Sequence, residues 1–291
     1  MASRNAPGTS QSNLSKNERR EQARQKAREL QQMEIRRAKR NRLFVILGVL
    51  IVVALVATAV YVIVNSSSRS SSDDGGDGVA FSRGENSITA QVPDNVTEWG
   101  GISLAAKDGK LTAGAVAEGK PTITIYFDYL CHYCGELEKE YADKLTEMAK
   151  NGEITLVYQP VSVVGGENSN NAVQADFYVA SVAPDKFADF HNAVFSEMSN
   201  PLFDKNGNPQ TDFTDDQLLE VAKNAGLNDE QVTGLRDVFA NGTYSELVNQ
   251  VNTQFGVTGL TGTPAAIVDD RQIVRWPNGG LTTAIDKASK E

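Results

Sequence analysis

Cysteine and histidine are both nearly absent: the 291 residues hold two of each, and the cysteines stand together at Cys131 and Cys134. That scarcity excludes a disulfide-stapled scaffold, because one bridge between residues three apart closes too small a loop to constrain an unfolded chain. A tetrahedral zinc site would need two further ligands. The only histidine outside the pair is His191, which reads as a partly buried helix residue, and there is no second Cys-x-x-Cys. No nucleotide-binding glycine loop, serine-hydrolase elbow or internal repeat appears. The stretch from Asp204 to Asp215 has part of a calcium-loop spacing, but Pro209 stands where that loop needs glycine and Asp215 where it needs glutamate. A turn on Asn206-Gly207 explains it better.

Charge is distributed unevenly. Residues 1–42 carry 12 Lys and Arg against 4 Asp and Glu, while the rest of the chain carries 16 basic and 33 acidic residues. Between the two regimes residues 43–64 run for 22 positions without a charge, about the length a helix needs to cross a bilayer core. A cleaved signal peptide is the alternative, but the apolar run is too long and its charged preamble of 42 residues too extended. Positive flanks stay in the cytoplasm, which predicts a basic cytoplasmic arm (1–42), a single transmembrane helix (43–64) and an outward remainder. So acidic an outward domain disfavours nucleic acid and anionic bilayers as partners. The arm reads as a topogenic anchor at the lipid headgroups, and Ser15-Lys16-Asn17-Glu18 has the form of a capping box opening a helix within it. A Ser-, Gly- and Asp-rich stretch then begins a flexible extracytoplasmic linker predicted over residues 65–100.

The thiols lie between a β-branched and aromatic run at 121–127, which predicts a buried strand, and an amphipathic pattern at 135–149, which predicts a helix. At such a junction the unpaired N–H groups and the helix dipole favour a thiolate on Cys131, with Cys134 more enclosed. An exposed nucleophile beside a shielded resolving partner is what thiol–disulfide exchange requires. Outside the cytoplasm a lone pair of this kind is a bridge or a redox catalyst, and the small loop favours the catalyst.

Further strands are predicted at 101–105, 154–160, 265–269 and 272–276. Helices are predicted at 171–182, 185–198, 215–225, 229–240, 244–255 and 281–290. Without the central helical block, the order is that of a thioredoxin fold. Thr263-Pro264, just before a late strand, is a candidate cis peptide whose preceding backbone would offer a substrate peptide a short edge beside Cys131.

These pieces together resemble the DsbA-like family of extracytoplasmic thiol–disulfide oxidoreductases. The resemblance rests on Phe127-Asp128-Tyr129-Leu130-Cys131-His132-Tyr133-Cys134-Gly135, on Gly262-Thr263-Pro264 before a terminal β-β-α unit, and on the 130 residues from Cys134 to Pro264. It implies an α/β thioredoxin fold over residues 101–291 with a helical insertion at about 165–256, preceded by the single transmembrane helix. It also implies that Cys131 and Cys134 introduce disulfides into secreted or surface proteins with reduced cysteines. No bound cofactor or metal is implied. The implied recycling partner is a membrane quinone-linked reoxidant, DsbB-like or vitamin K epoxide reductase-like.

The departure is His132-Tyr133, where DsbA-type oxidases commonly have Pro-His. This dipeptide tunes redox poise, so oxidising strength does not carry over. His132 is a candidate catalytic group beside the thiolate, with a solvent-exposed spacer as the alternative. Tyr133, Thr263 and Pro264 are candidate substrate contacts. Asp128 and Glu138 are the nearest carboxylates for a proton relay to Cys134, unless Glu136, Glu138 and Glu140 simply form a solvated face. A disulfide isomerase or reductase, and a thioredoxin-fold client-binding module, remain alternatives.

Overall fold

The strand before the thiols lies at the heart of the molecule. A computed structural model describes residues 78–165, 167–204 and 214–290. The basic arm, the expected membrane span at 43–64, the first part of the linker and most of the calcium-like stretch lie outside these residues. Among the described residues no helix is long and apolar enough to cross a membrane.

Seven strands form one sheet: β1 (Val79–Ala80), β2 (Ile102–Lys107), β3 (Lys110–Ala113), β4 (Thr122–Phe127), β5 (Thr155–Pro160), β6 (Ala265–Val268) and β7 (Arg271–Gln272). Their spatial order is β1-β7-β6-β4-β5-β2-β3. The central β4 and β5 run parallel, pairing Ile123 with Leu156 and Ile125 with Tyr158, and β6 joins β4 antiparallel. All six positions of β5 are buried, as expected of a strand covered on both faces. The β2–β3 hairpin turns on Asp108 and Gly109, at φ 52° and 78°, the left-handed pair that a two-residue Asp-Gly turn uses.

Helix α1 (His132–Lys150) follows β4 and lays Cys134, Leu137, Glu138, Tyr141, Leu145 and Ala149 into the core at helical spacing. The insertion comprises α2 (Glu167–Val182), α3 (Phe187–Ala193), α4 (Asp215–Asn224), α5 (Asp229–Asn241) and α6 (Ser245–Val257). Ala172, Val173, Ala175, Phe177, Val179 and Ala180 are fully buried, so α2 is the core of the insertion. Reciprocal capping boxes open α4 (Thr214 with Gln217) and α5 (Asn228 with Gln231). Between α3 and Asn200 the chain widens into a π turn (Val194–Ser199), followed by a 3-10 turn (Asn200–Leu202). A final helix, α7 (Gly280–Ala288), packs beside β6.

Three expectations need correction. Residues 78–100 are not tether: β1 pairs with β7, the Ser87 amide donates to Gln254 at 3.1 Å, and Asn95 donates to the Ala180 carbonyl at 3.0 Å. Side-chain hydrogen bonds and the packing of Phe81, Ile88, Ala90, Val92 and Val96 against the core order this stretch, whose apolar alternation is confined to Ile88, Ala90 and Val92. The strand predicted at 272–276 shrinks to Arg271–Gln272, and the helix predicted through residue 198 gives way to the π turn after Ala193.

Candidate active site

Cys131 is the N-cap of α1. Its backbone is extended (φ −97°, ψ 113°), and its Sγ accepts from the Cys134 amide at 3.3 Å. No acidic side chain occupies the first turn, so none there competes with the thiol for the free N–H groups and the positive end of the dipole. Gly135 gives the 3-10 turn room to close over this end of the helix, since a Cβ there would lie 2.1 Å from Asn200 Oδ1.

Across the site a cis bond joins Thr263 to Pro264, and the Cys131 thiol donates to the Thr263 carbonyl at 3.3 Å. The backbone predicted to dock substrate thus lies directly against the sulfur. Both cysteines are free thiols. Cys131 keeps 7% of its surface and Cys134 only 1%, so an incoming sulfur reaches Cys131.

The two thiols are pushed in opposite directions. The hydrogen bond from Cys134 is the main cause that lowers Cys131 to about 7; the Thr263 side chain and the Cys134 amide add to it, while burial and the charge of Asp128 oppose it. Burial drives Cys134 well above the ordinary thiol value, and the neighbouring Cys131 raises it further. A thiolate therefore forms on the accessible sulfur and a neutral thiol persists on the enclosed one.

The other expected residues are placed differently. The His132 ring lies against Phe203, centroids 5.1 Å apart, and Tyr133 is 66% exposed beside it. Asp128 is fully buried and accepts from four donors: Leu130 N and Ser169 Oγ on Oδ1 (2.8 and 2.9 Å), and Val163 N and Val164 N on Oδ2 (2.7 and 2.8 Å). So committed a carboxylate clamps the thiol loop to the loop after β5. Burial is the main cause that raises its pKa. Glu138 is buried while Glu136 pairs with Lys139 on the exposed face, so the three glutamates do not form one solvated face.

Sequence reasoning missed what Glu138 faces. His191 is not partly but wholly buried, enclosed by Phe127, Tyr129, Tyr158, Phe187 and Phe195. Its Nε2 is 3.6 Å from Glu138 Oε1, and its Nδ1 is 3.1 Å from the Tyr129 hydroxyl, which shares a 2.8 Å hydrogen bond with Asp176 Oδ1. The available signal was a lone histidine among aromatic residues at helical spacing, Phe187, Phe190 and Phe195.

The model of the DSBA-like thioredoxin domain matches residues 122–283, more than half of the chain. No curated protein matches in sequence. Among solved structures, the MdbA protein of Actinomyces oris, a thiol-disulfide oxidoreductase, superposes with a TM-score of 0.57 at 21% identity, covering 69% of this chain and 89% of its own. BdbD from Bacillus subtilis gives 0.52 at 21% identity over 74% of this chain and all of its own. Reduced DsbA from Mycobacterium tuberculosis gives 0.52 at 20% identity over 65% and 93%. At these identities the likeness is one of fold.

Proposed function

Because the chain belongs to the family of DSBA-like thioredoxin domains, we propose that it is a membrane-tethered enzyme that introduces disulfides into proteins outside the cytoplasm. Its class is thiol–disulfide oxidoreductase. The observation that carries this reading is Cys131 Sγ: it caps α1, is lowered to about 7, and lies 3.3 Å from the Thr263 carbonyl beside an enclosed second thiol.

In the oxidised form a substrate thiolate attacks Cys131 Sγ, the Cys131–Cys134 bond breaks, and Cys134 leaves and takes up a proton. A second substrate cysteine then attacks the substrate sulfur of the mixed disulfide. Cys131 departs as a thiolate that the helix start stabilises, and two electrons have passed from client to enzyme. The Thr263 backbone gives the client an edge to pair with during both steps, and Tyr133 offers it an exposed apolar face. Clients are secreted or surface proteins with reduced cysteines, and a membrane quinone-linked reductase restores the disulfide. The basic arm and the uncharged run at 43–64 support the outward orientation.

Oxidation of a reduced two-cysteine peptide by the oxidised full-length protein tests this. Cys131→Ser and Cys134→Ala, neither of which can form the Cys131–Cys134 bond, are expected to abolish it, and reduced Cys134→Ala, given the disulfide form of the peptide, to hold it as a mixed disulfide through Cys131 with one peptide thiol released. Undiminished oxidation by Cys131→Ser would overturn the reading.

A further inference from the structure

The thiol chemistry leaves unused the chain of buried polar groups that ends one helical turn beyond Cys134. Asp176 on α2, Tyr129 after β4, His191 on α3 and Glu138 on α1 follow one another at 2.8, 3.1 and 3.6 Å. Asp176, Tyr129 and His191 have no exposed surface and Glu138 has 6%. Three of their atoms, Asp176 Oδ2, His191 Nε2 and Glu138 Oε1, have no hydrogen-bond partner, a costly arrangement in a core unless it serves something. His191 Nε2 and Glu138 Oε1 face each other just beyond hydrogen-bonding range. A movement of about half an ångström, within ordinary thermal amplitude, brings them into contact.

Proton counting shows what this row can do. In one arrangement Asp176 is protonated and donates to Tyr129, Tyr129 donates to His191 Nδ1, and His191 Nε2–H points at the Glu138 carboxylate. In the other, Tyr129 donates to an Asp176 carboxylate, His191 Nδ1–H donates to Tyr129, and a protonated Glu138 donates to Nε2. Each hydrogen bond is kept with donor and acceptor reversed, and the total charge is the same. One arrangement becomes the other when a single proton moves at each link, from Asp176 to Tyr129, from Tyr129 to Nδ1 and from Nε2 to Glu138.

We propose that Asp176, Tyr129, His191 and Glu138 form a proton-transfer path through the core, so that one negative charge resides either on Glu138, near the thiols, or on Asp176, on the far side of the imidazole. The path serves the exchange reaction proposed above. At rest the charge sits on Glu138, to which Tyr158 also donates at 3.3 Å, while burial pushes the Asp176 carboxyl well above its ordinary range. When a thiolate forms, a proton passes to Glu138 and the charge withdraws to Asp176, which lessens repulsion at the sulfurs. The other titratable groups facing the path are Tyr158 on β5 and, at the thiol end, Asp128, Cys131 and Cys134. The four members of the path are positioning residues: they act on the thiols through charge.

Isosteric variants hold the path in one state or the other. Asp176→Asn keeps the charge on Glu138, Tyr129→Phe interrupts transfer with the same result, and Glu138→Gln removes it from the thiol end. The readout is the midpoint of thiolate absorbance against pH in the reduced full-length protein. Asp176→Asn and Tyr129→Phe should raise the midpoint by about half a pH unit or more, and Glu138→Gln should leave it at or below the wild-type value. A packing role would shift Asp176→Asn and Glu138→Gln in the same direction, or neither, and either pattern overturns the path. If Tyr129→Phe does not fold, the two carboxylate variants decide alone. Peptide oxidation by the wild-type protein is measured alongside: its absence counts against the proposed activity, whereas the titration judges the path.

Discussion

At the scale of single residues the site depends on how two identical thiols are made unlike. Cys131 is lowered to about 7 from an ordinary value near 9, so folding favours its thiolate. A depressed thiol stabilises the fold fully above the unfolded value and loses that contribution as pH falls through the folded one. The reduced protein should therefore gain stability over Cys131→Ser as pH rises from 7 to 9, by about 2 to 3 kcal/mol at most. Denaturant midpoints of the two proteins across that window check it. Asp128 acts on the same sulfur in the opposite sense, because its charge raises Cys131. Asp128→Asn should lower the Cys131 midpoint below 7. It should also cost about 3 kcal/mol of stability, because an amide nitrogen cannot accept from the Val163 and Val164 amides. Thiolate absorbance and urea unfolding of that variant separate the two effects.

At the scale of elements, glycines mark where backbones meet. A Cβ on Gly280 at the start of α7 would lie 1.7 Å from the Arg275 carbonyl oxygen, whereas Gly256 near the end of α6 has nothing within 4 Å. Gly280→Ala should destabilise the protein by about 2 kcal/mol or more, and Gly256→Ala should stabilise it by about 0.5 to 1 kcal/mol. Thermal unfolding of the pair tests both signs. What could be read from the sequence followed the same logic. Periodicity exposed β4, β5 and the helices of the insertion, because burial on one stripe or on both faces repeats along the chain. The β2–β3 hairpin carried a turn signal in Asp108-Gly109 that went unused. Residues 78–100 left only the short Ile88-Ala90-Val92 alternation and the Asp176–Glu138 row only the aromatic spacing around His191, since both are fixed by contacts between residues as far apart as Ser87 and Gln254, or Tyr129 and His191.

At the scale of the whole molecule, the thioredoxin sheet supplies the thiols and the cis-proline loop, while the insertion supplies Asp176, His191 and the turns that close over α1. The distance from Cys134 to Pro264 in sequence indicated that such an insertion exists; its contribution to the buried row beside the site became visible only once α2 and α3 were placed. Thiolate stability is one lever on the direction of electron flow. A Cys131 value of about 7 is less depressed than the roughly 3.5 of the strongest oxidases and equal to that of thioredoxin, so the disulfide should be a milder oxidant than theirs. The reduction potential of the Cys131–Cys134 pair, measured against glutathione with the full-length protein, addresses this most directly. A value less negative than about −220 mV, in the region of protein disulfide isomerase near −180 mV, is the result expected of an enzyme that oxidises its clients. A value near −270 mV, the potential of thioredoxin, would make the dithiol a reductant and contradict it.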